Sequence, residues 1–397
     1  MFSQISRIEK YQGLFVEEGG LTLLLAILDR RDESDVTDRC SEAFVNLSLL
    51  KKNQREVAAS GIAFQLPKLL GGKNVSPKSR AFCLMMVGNL LNAGYLHDKI
   101  ANEDTVNSIL KMFDPVSARQ FMAVGFVLSQ ITHTKQSMDL IVECGGVFTM
   151  CKQLNAVSVI GRDMHEDPAK YKDADGTSQS TQLKVLRDGL GYIWDILANI
   201  AIDPDHRNII AKHPEIIHQI EAESKKGLEV PSAVEGNEQE AEEKFVDTMQ
   251  PDILSFLLNF TCIPELDKYV ESSLLLKLVL SVRLIFAKAL GPSSWMKKIR
   301  MDTVTILVNL SSRIKFSRKC ILGEDLIKQI EYKGVEDPVL SLKYVELISM
   351  ISIEENCCVN MIDQGAQKLL VSLLDTKSSI CKDLIAAAFH NMSLKRA

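Results

Sequence analysis

The sequence predicts an all-α, right-handed α-α superhelix, a solenoid of about eight stacked helical repeats. Composition is the first observation. Hydrophobic residues make up 46% of the 397-residue chain and charged residues 24%, but aromatics only 6%, and Gly and Pro are few. That balance is globular and favours helices packed through aliphatic side chains over sheets. The second is a phrase spelled at both ends, "AFVNLSLLK" at Ala43–Lys51 and "AFHNMSLKR" at Ala388–Arg396. The third is that the phrase recurs between those ends with a period near 41 residues, which implies a repeat array.

Counting from Val36 as position zero, apolar residues fall at offsets 4, 7, 8 and 11 (Cys40, Ala43, Phe44, Leu47), the spacing of one helix face. The template restarts at Ser79, Gln120, Gly189, Met249, Ile299, Leu340 and Cys381, and offsets 7, 8 and 11 are apolar in every copy. Offset 10 reads Asn46, Asn89, Gln130, Asn199, Asn259, Asn309, Met350 and Asn391. Offset 12 is Ser or Thr in six of the eight copies. An amide beside an apolar stripe must find hydrogen-bond partners, and Asn is an indifferent helix former. Either it brackets a bound backbone, or it bonds a neighbouring helix and holds the repeats in register. The sequence leaves both open.

Ahead of the asparagine helices comes a second signature: "FVEEGGLTLLLAILD" (Phe15–Asp29), "VAASGIAFQLPKLL" (Val57–Leu70), "IVECGGVFTMCKQL" (Ile141–Leu154) and "MIDQGAQKLLVSLLD" (Met361–Asp375). Each predicts a short helix, a glycine break at Gly19, Gly61, Gly145 or Gly365, and a longer amphipathic helix. Three intermediate repeats have Glu103-Asp104, His213-Pro214 and Ser272-Ser273 at the break, so they should be less regular. Longer intervals between copies hold two polar insertions, at about 157–181 and 227–244, expected as exposed loops within a single domain spanning 1–397.

Short helix, glycine turn, "LLLxLL" helix and a third helix ending in "NLS": this pattern resembles the armadillo repeat, with HEAT-like character in the middle. The importin-α variant fits poorly. Its tryptophan belongs at offset 6, which here holds Glu42, Met85, Phe126, Asp195, Ser255, Thr305, Glu346 and Ala387. The resemblance implies that third helices stack and line a concave groove. Asn46, Asn89, Gln130, Asn199, Asn259, Asn309 and Asn391 would then form a ladder contacting a partner.

Charge adds one further candidate. Lys297, Lys298, Arg300, Arg313, Lys315, Arg318 and Lys319 cluster against one acid, Asp302, while Glu229–Glu243 is acidic. These are either ordinary solvated faces or a basic patch for an acidic segment, with Lys315 and Arg318 as contacts.

Other functions find little support. His165-Glu166 and the His206, His213, His218 group match no metal or triad spacing, and no phosphate-loop, dinucleotide or hydrolase motif occurs. No enzyme, cofactor or metal is expected. The net charge of −5 argues against nucleic acid as partner. Nine irregularly spaced cysteines suit a reducing, cytoplasmic compartment, with cytoskeletal or nuclear association also compatible. Leu274–Leu290 carries Lys277, Arg283 and Lys288, which fits a buried helix better than a membrane span. The reading is a scaffold or adaptor, monomeric outside its complex, that binds a protein through an extended segment or a surface. The alternative is a structural subunit of a cytoskeletal or ciliary assembly, followed by a chaperone-like or transport adaptor.

Overall fold

Punctuation residues set the helix boundaries in the computed structural model, which describes residues 2–30, 34–72, 75–166, 179–226, 251–263, 266–289, 294–313, 317–323, 325–333, 337–374 and 379–394. Pro77, Pro204 and Pro338 each open a helix, following Ser76, Asp203 and Asp337, whose side chains accept backbone N–H groups of the first turn. Gly19, Gly61, Gly145 and Gly365 all take positive φ, from 76° to 93°, at the expected break between first and second helices. At such φ a Cβ would crowd the backbone, so glycine alone turns the chain there without strain.

All eight asparagine-phrase positions fall on helices: Ser34–Leu49, Pro77–Asn92, Ala118–Ile131, Gln179–Ile200, Pro251–Phe260, Ser294–Arg313, Pro338–Ser352 and Ser379–Ser393. Among the described residues there is no strand. Two of the three glycine-less repeats are irregular. One first helix shrinks to His97–Ile100, after Leu96 at φ 69°, and another to the 3₁₀ turn Leu266–Lys268. The third keeps a seven-residue helix, Pro204–Ile210. Gly323, at φ 51°, supplies a further break that the sequence signature did not include.

The helices divide into two compact units, 1–200 and 201–397. In the first, the helices Ser34–Leu49, Pro77–Asn92, Ala118–Ile131 and Gln179–Ile200 pack in succession, each on the next. In the second, Pro251–Phe260, Ser294–Arg313, Pro338–Ser352 and Ser379–Ser393 do the same. First and second helices pack against their counterparts too, Glu9–Glu17 on Lys51–Ala59 and Leu326–Lys333 on Ala366–Ser372.

The core follows the predicted offsets. Ala43, Phe44 and Leu47 are buried, as are Met86/Val87/Leu90, Ile196/Leu197/Ile200 and Ile306/Leu307/Leu310. Each of the larger side chains among them contributes about 1.5–3 kcal/mol by leaving water. Trp194 is wholly buried, a core residue with no face for a ligand.

The first insertion is shorter than expected. Helix Gly146–Glu166 runs into it because Val157 and Ile160 continue the stripe of Met150 and Leu154, and all four are buried. Residues 167–178 and the insertion at 227–244 lie outside the described residues. No single described helix is long and apolar enough to cross a membrane. One bent pair, Glu9–Glu17 with Gly20–Asp29, passes on length and composition but turns by 79° at its break.

Candidate functional site

The asparagines share one bonding arrangement. Asn46 Nδ2 donates to Ser6 Oγ at 3.1 Å, Asn89 to Ser48 Oγ at 2.9 Å and Asn199 to Thr132 Oγ1 at 3.0 Å. In the second unit Asn309 donates to Thr261 Oγ1 at 3.2 Å and Asn391 to Ser352 Oγ at 3.0 Å. Apart from Ser6, which ends the first helix, Phe2–Ser6, each acceptor is the offset-12 hydroxyl of the preceding repeat.

The hydroxyls are themselves committed. Ser48 donates to Val45 O, Thr132 to Ser129 O, Thr261 to Leu257 O and Ser352 to Ser349 O, each at 2.7 Å. A hydroxyl has one proton, and here it points down its own helix, so the facing asparagine atom must be the donor. That fixes the amide orientation: Nδ2 inward, Oδ1 away. Oδ1 of Asn46, Asn89, Asn199, Asn309 and Asn391 accepts no hydrogen bond from the described residues, and these side chains are half-buried. The row therefore offers acceptors rather than paired donors and acceptors.

Three positions depart from the rule. Gln130 follows Leu91, which has no hydroxyl, and its Nε2 lies 3.4 Å from Ser129 Oγ on its own helix. Met350 follows Ser311, so that hydroxyl has no amide to receive. Asn259 follows Ala201 and likewise meets no offset-12 hydroxyl.

A second set of contacts caps the helix ends. Six residues beyond offset 12, a side chain returns to that residue's main-chain carbonyl. Gln12 donates to Ser6 O (2.6 Å), Gln54 to Ser48 O (2.8 Å), Arg207 to Ala201 O (2.5 Å) and Cys358 to Ser352 O (3.1 Å). His97 Nε2 lies 3.1 Å from Leu91 O. These donors satisfy carbonyls that the helix leaves orphaned.

Arg318 makes the same kind of contact one residue later, seven beyond Ser311, which corrects its expected place in an exposed basic patch. It is buried, and its Nε donates to Ser311 O at 2.9 Å. Arg300 is buried too and donates to Ala289 O at 3.1 Å. Lys297, Lys298 and Lys319 are exposed, while Lys315 and the side chain of Arg313 lie outside the described residues.

In the first unit, Phe126 and Tyr192 flank the row with ring centroids 5.5 Å apart. Phe126 lies against Gly88, where any Cβ would strike the ring. Asp195, at offset 6, has its carboxyl pushed above the usual range by burial, opposed by the charge of His133. Burial, then Asp188 and Asp195, raises the Tyr192 phenol. Burial also raises Asp302, against the pull of Lys298. Among the described residues, no group of His, Cys, Asp and Glu could hold a metal ion.

No family model matches the sequence, and no curated protein does. Among solved structures, SYS-1 aligns with a TM-score of 0.58 at 12% identity over 90% of this chain. SYS-1 in complex with POP-1 gives 0.58 at 11% identity over the same share. This chain spans 58% of the SYS-1 chain in both. A designed armadillo repeat protein in complex with the peptide (KR)4 reaches only 0.43, at 15% identity, over 65% of this chain and 90% of its own. Three-helix units with glycine breaks, stacked third helices and the likeness to SYS-1, an armadillo-repeat protein, agree: the chain has an armadillo-repeat-type fold.

Proposed function

We propose that the chain is a non-catalytic protein-interaction scaffold that holds an extended partner segment along the exposed edge of its asparagine helices. The observation that carries this reading is the outward set of Oδ1 acceptors. Each lies on a stacked helix, fixed in orientation by its bond to the preceding repeat, and suited to accept a backbone N–H. Pre-organised acceptors cost little to engage because their rotamers are already locked. SYS-1, which shares the fold, is seen in complex with POP-1, and that complex supports a protein partner here. Acceptors beside Asp195 favour segments with free donors, while an acidic partner would rely on Lys297, Lys298 and Lys319.

A second reading has its own support. The inward amide bonds already give the asparagines a structural task, as a subunit of a larger assembly would require. Two substitutions at one position separate the readings. Asn89→Asp keeps an outward acceptor but cannot donate to Ser48, whereas Asn89→Ala removes both atoms. Once a partner is isolated, groove binding requires the alanine variant to lose more affinity per folded molecule than the aspartate variant. Equal affinity in both, with lowered melting temperatures, favours the assembly reading.

A further inference from the structure

We propose that the cleft between helices Glu103–Lys111 and Gly146–Glu166 is a second docking site, for an amphipathic helical segment with an apolar face and acidic flanks. It lies among the second helices, apart from the asparagine row, and does not depend on that row binding anything.

The cleft has a cause in helix length. The nine-residue helix Glu103–Lys111 is about 14 Å long and the 21-residue helix Gly146–Glu166 about 31 Å, at 1.5 Å per residue. The longer helix overruns its neighbour. The loop 112–117 takes the neighbour's place and leaves a cavity of about 740 Å³.

Its walls are apolar and open. Val116 is 75% exposed, Phe148 65% and Val159 51%, and all three line this one cleft. Exposed apolar residues scattered singly need no explanation, but three converging on one cavity mark a binding surface. Its size lies within the range of sites that bury a few large side chains.

Charge selects the occupant. Lys111 and Lys152 both line the cleft, both are exposed, and neither has a hydrogen bond or ion pair among the described residues. The one acid in the described lining, Asp114, accepts the Val116 N–H at 3.0 Å and so is engaged locally. Two uncommitted cations beside an apolar wall attract carboxylates and repel a basic segment.

The test uses the full chain and two synthetic amphipathic helices, each labelled for fluorescence anisotropy. Both carry Leu and Phe at i, i+3, i+4 and i+7; one has Glu on its flanks and the other Lys. The Glu peptide should bind, more tightly at low salt, and the Lys peptide should not. Phe148→Ser should weaken the Glu peptide by about tenfold or more. Lys111→Glu with Lys152→Glu should reverse the preference, a gain of binding that a misfolded chain cannot produce. Indifference to peptide charge would overturn the proposal, as would binding unaffected by Phe148→Ser. A dimer in sedimentation that Phe148→Ser dissolves would make the occupant a second copy and overturn it equally.

Discussion

Asn89 donates its amide to the hydroxyl of Ser48, 41 residues earlier and one helix away, at 2.9 Å, while that hydroxyl donates to Val45 O. The two residues form a relay that joins consecutive repeats, and their coupling can be measured. In a double-mutant cycle of Asn89→Ala and Ser48→Ala followed by urea denaturation, the interaction energy should be about 0.5–1.5 kcal/mol. Additive effects would show that the contact contributes nothing to stability.

Glycines at two sites should respond oppositely to the same change. Gly61 has φ 93°, so Gly61→Ala should destabilise by about 1–2 kcal/mol, although the nearest atom to the new Cβ is in Phe64, 3.8 Å away. Gly71 ends the helix Ile62–Gly71 and would meet nothing within 4 Å; Gly71→Ala should stabilise by about 0.4–1 kcal/mol. Thermal melts of the two variants check the pair. Shifts of the same sign would contradict the helix-break assignment.

Leu307 is fully buried at offset 8. Truncation to Ala should cost about 2–5 kcal/mol through lost burial and a residual cavity. Lys382 is exposed on the last helix, and its replacement by Ala should stay within about 0.5 kcal/mol. Similar losses at both would mean that the offsets do not mark the core.

Asp195 makes stability depend on pH. Its folded pKa is raised by burial above the ordinary aspartate value of 3.8, so the folded state holds the proton longer than the unfolded state. Its contribution to stability is therefore greatest at low pH and falls as pH rises from the unfolded pKa through the folded one. Asp195→Asn should raise the melting temperature at neutral pH, and the gain should shrink as pH falls toward 4. A variant less stable than wild type at pH 7 would show that the carboxylate is needed in its charged form.

Much of this fold was legible in the sequence because periodic burial and positive-φ turns constrain residue type. Offsets 7, 8 and 11 must be apolar, and Gly19, Gly61, Gly145 and Gly365 must lack a side chain. The asparagine and hydroxyl positions were legible as a pattern, but not as a pairing. The bond joins Asn89 to the previous repeat's Ser48, and a single repeat read alone contains no sign of it. The carbonyl caps were illegible for a different reason. Gln12, Gln54, His97, Arg207 and Cys358 share only a donor and a reach, so no single residue type marks the position. Arg318 misled for the same reason, since a cap and a surface cation look alike in a sequence. The helix extension to Glu166 did leave a signal, the spacing of Leu154, Val157 and Ile160, which the surrounding polar residues obscured.

Two of the three lapses in the relay, one within each compact unit, have a dynamic consequence. A stack of repeats opens by losing neighbour interfaces, and each interface carries its own free energy. Between Leu91 and Gln130, and again between Ser311 and Met350, the amide-to-hydroxyl bond is missing from that interface. Those two seams are where native-state hydrogen exchange should find the boundaries between cooperatively opening blocks. Amides on either side of a seam would lose protection at different denaturant concentrations, while those joined by Asn89 and Ser48 would lose it together.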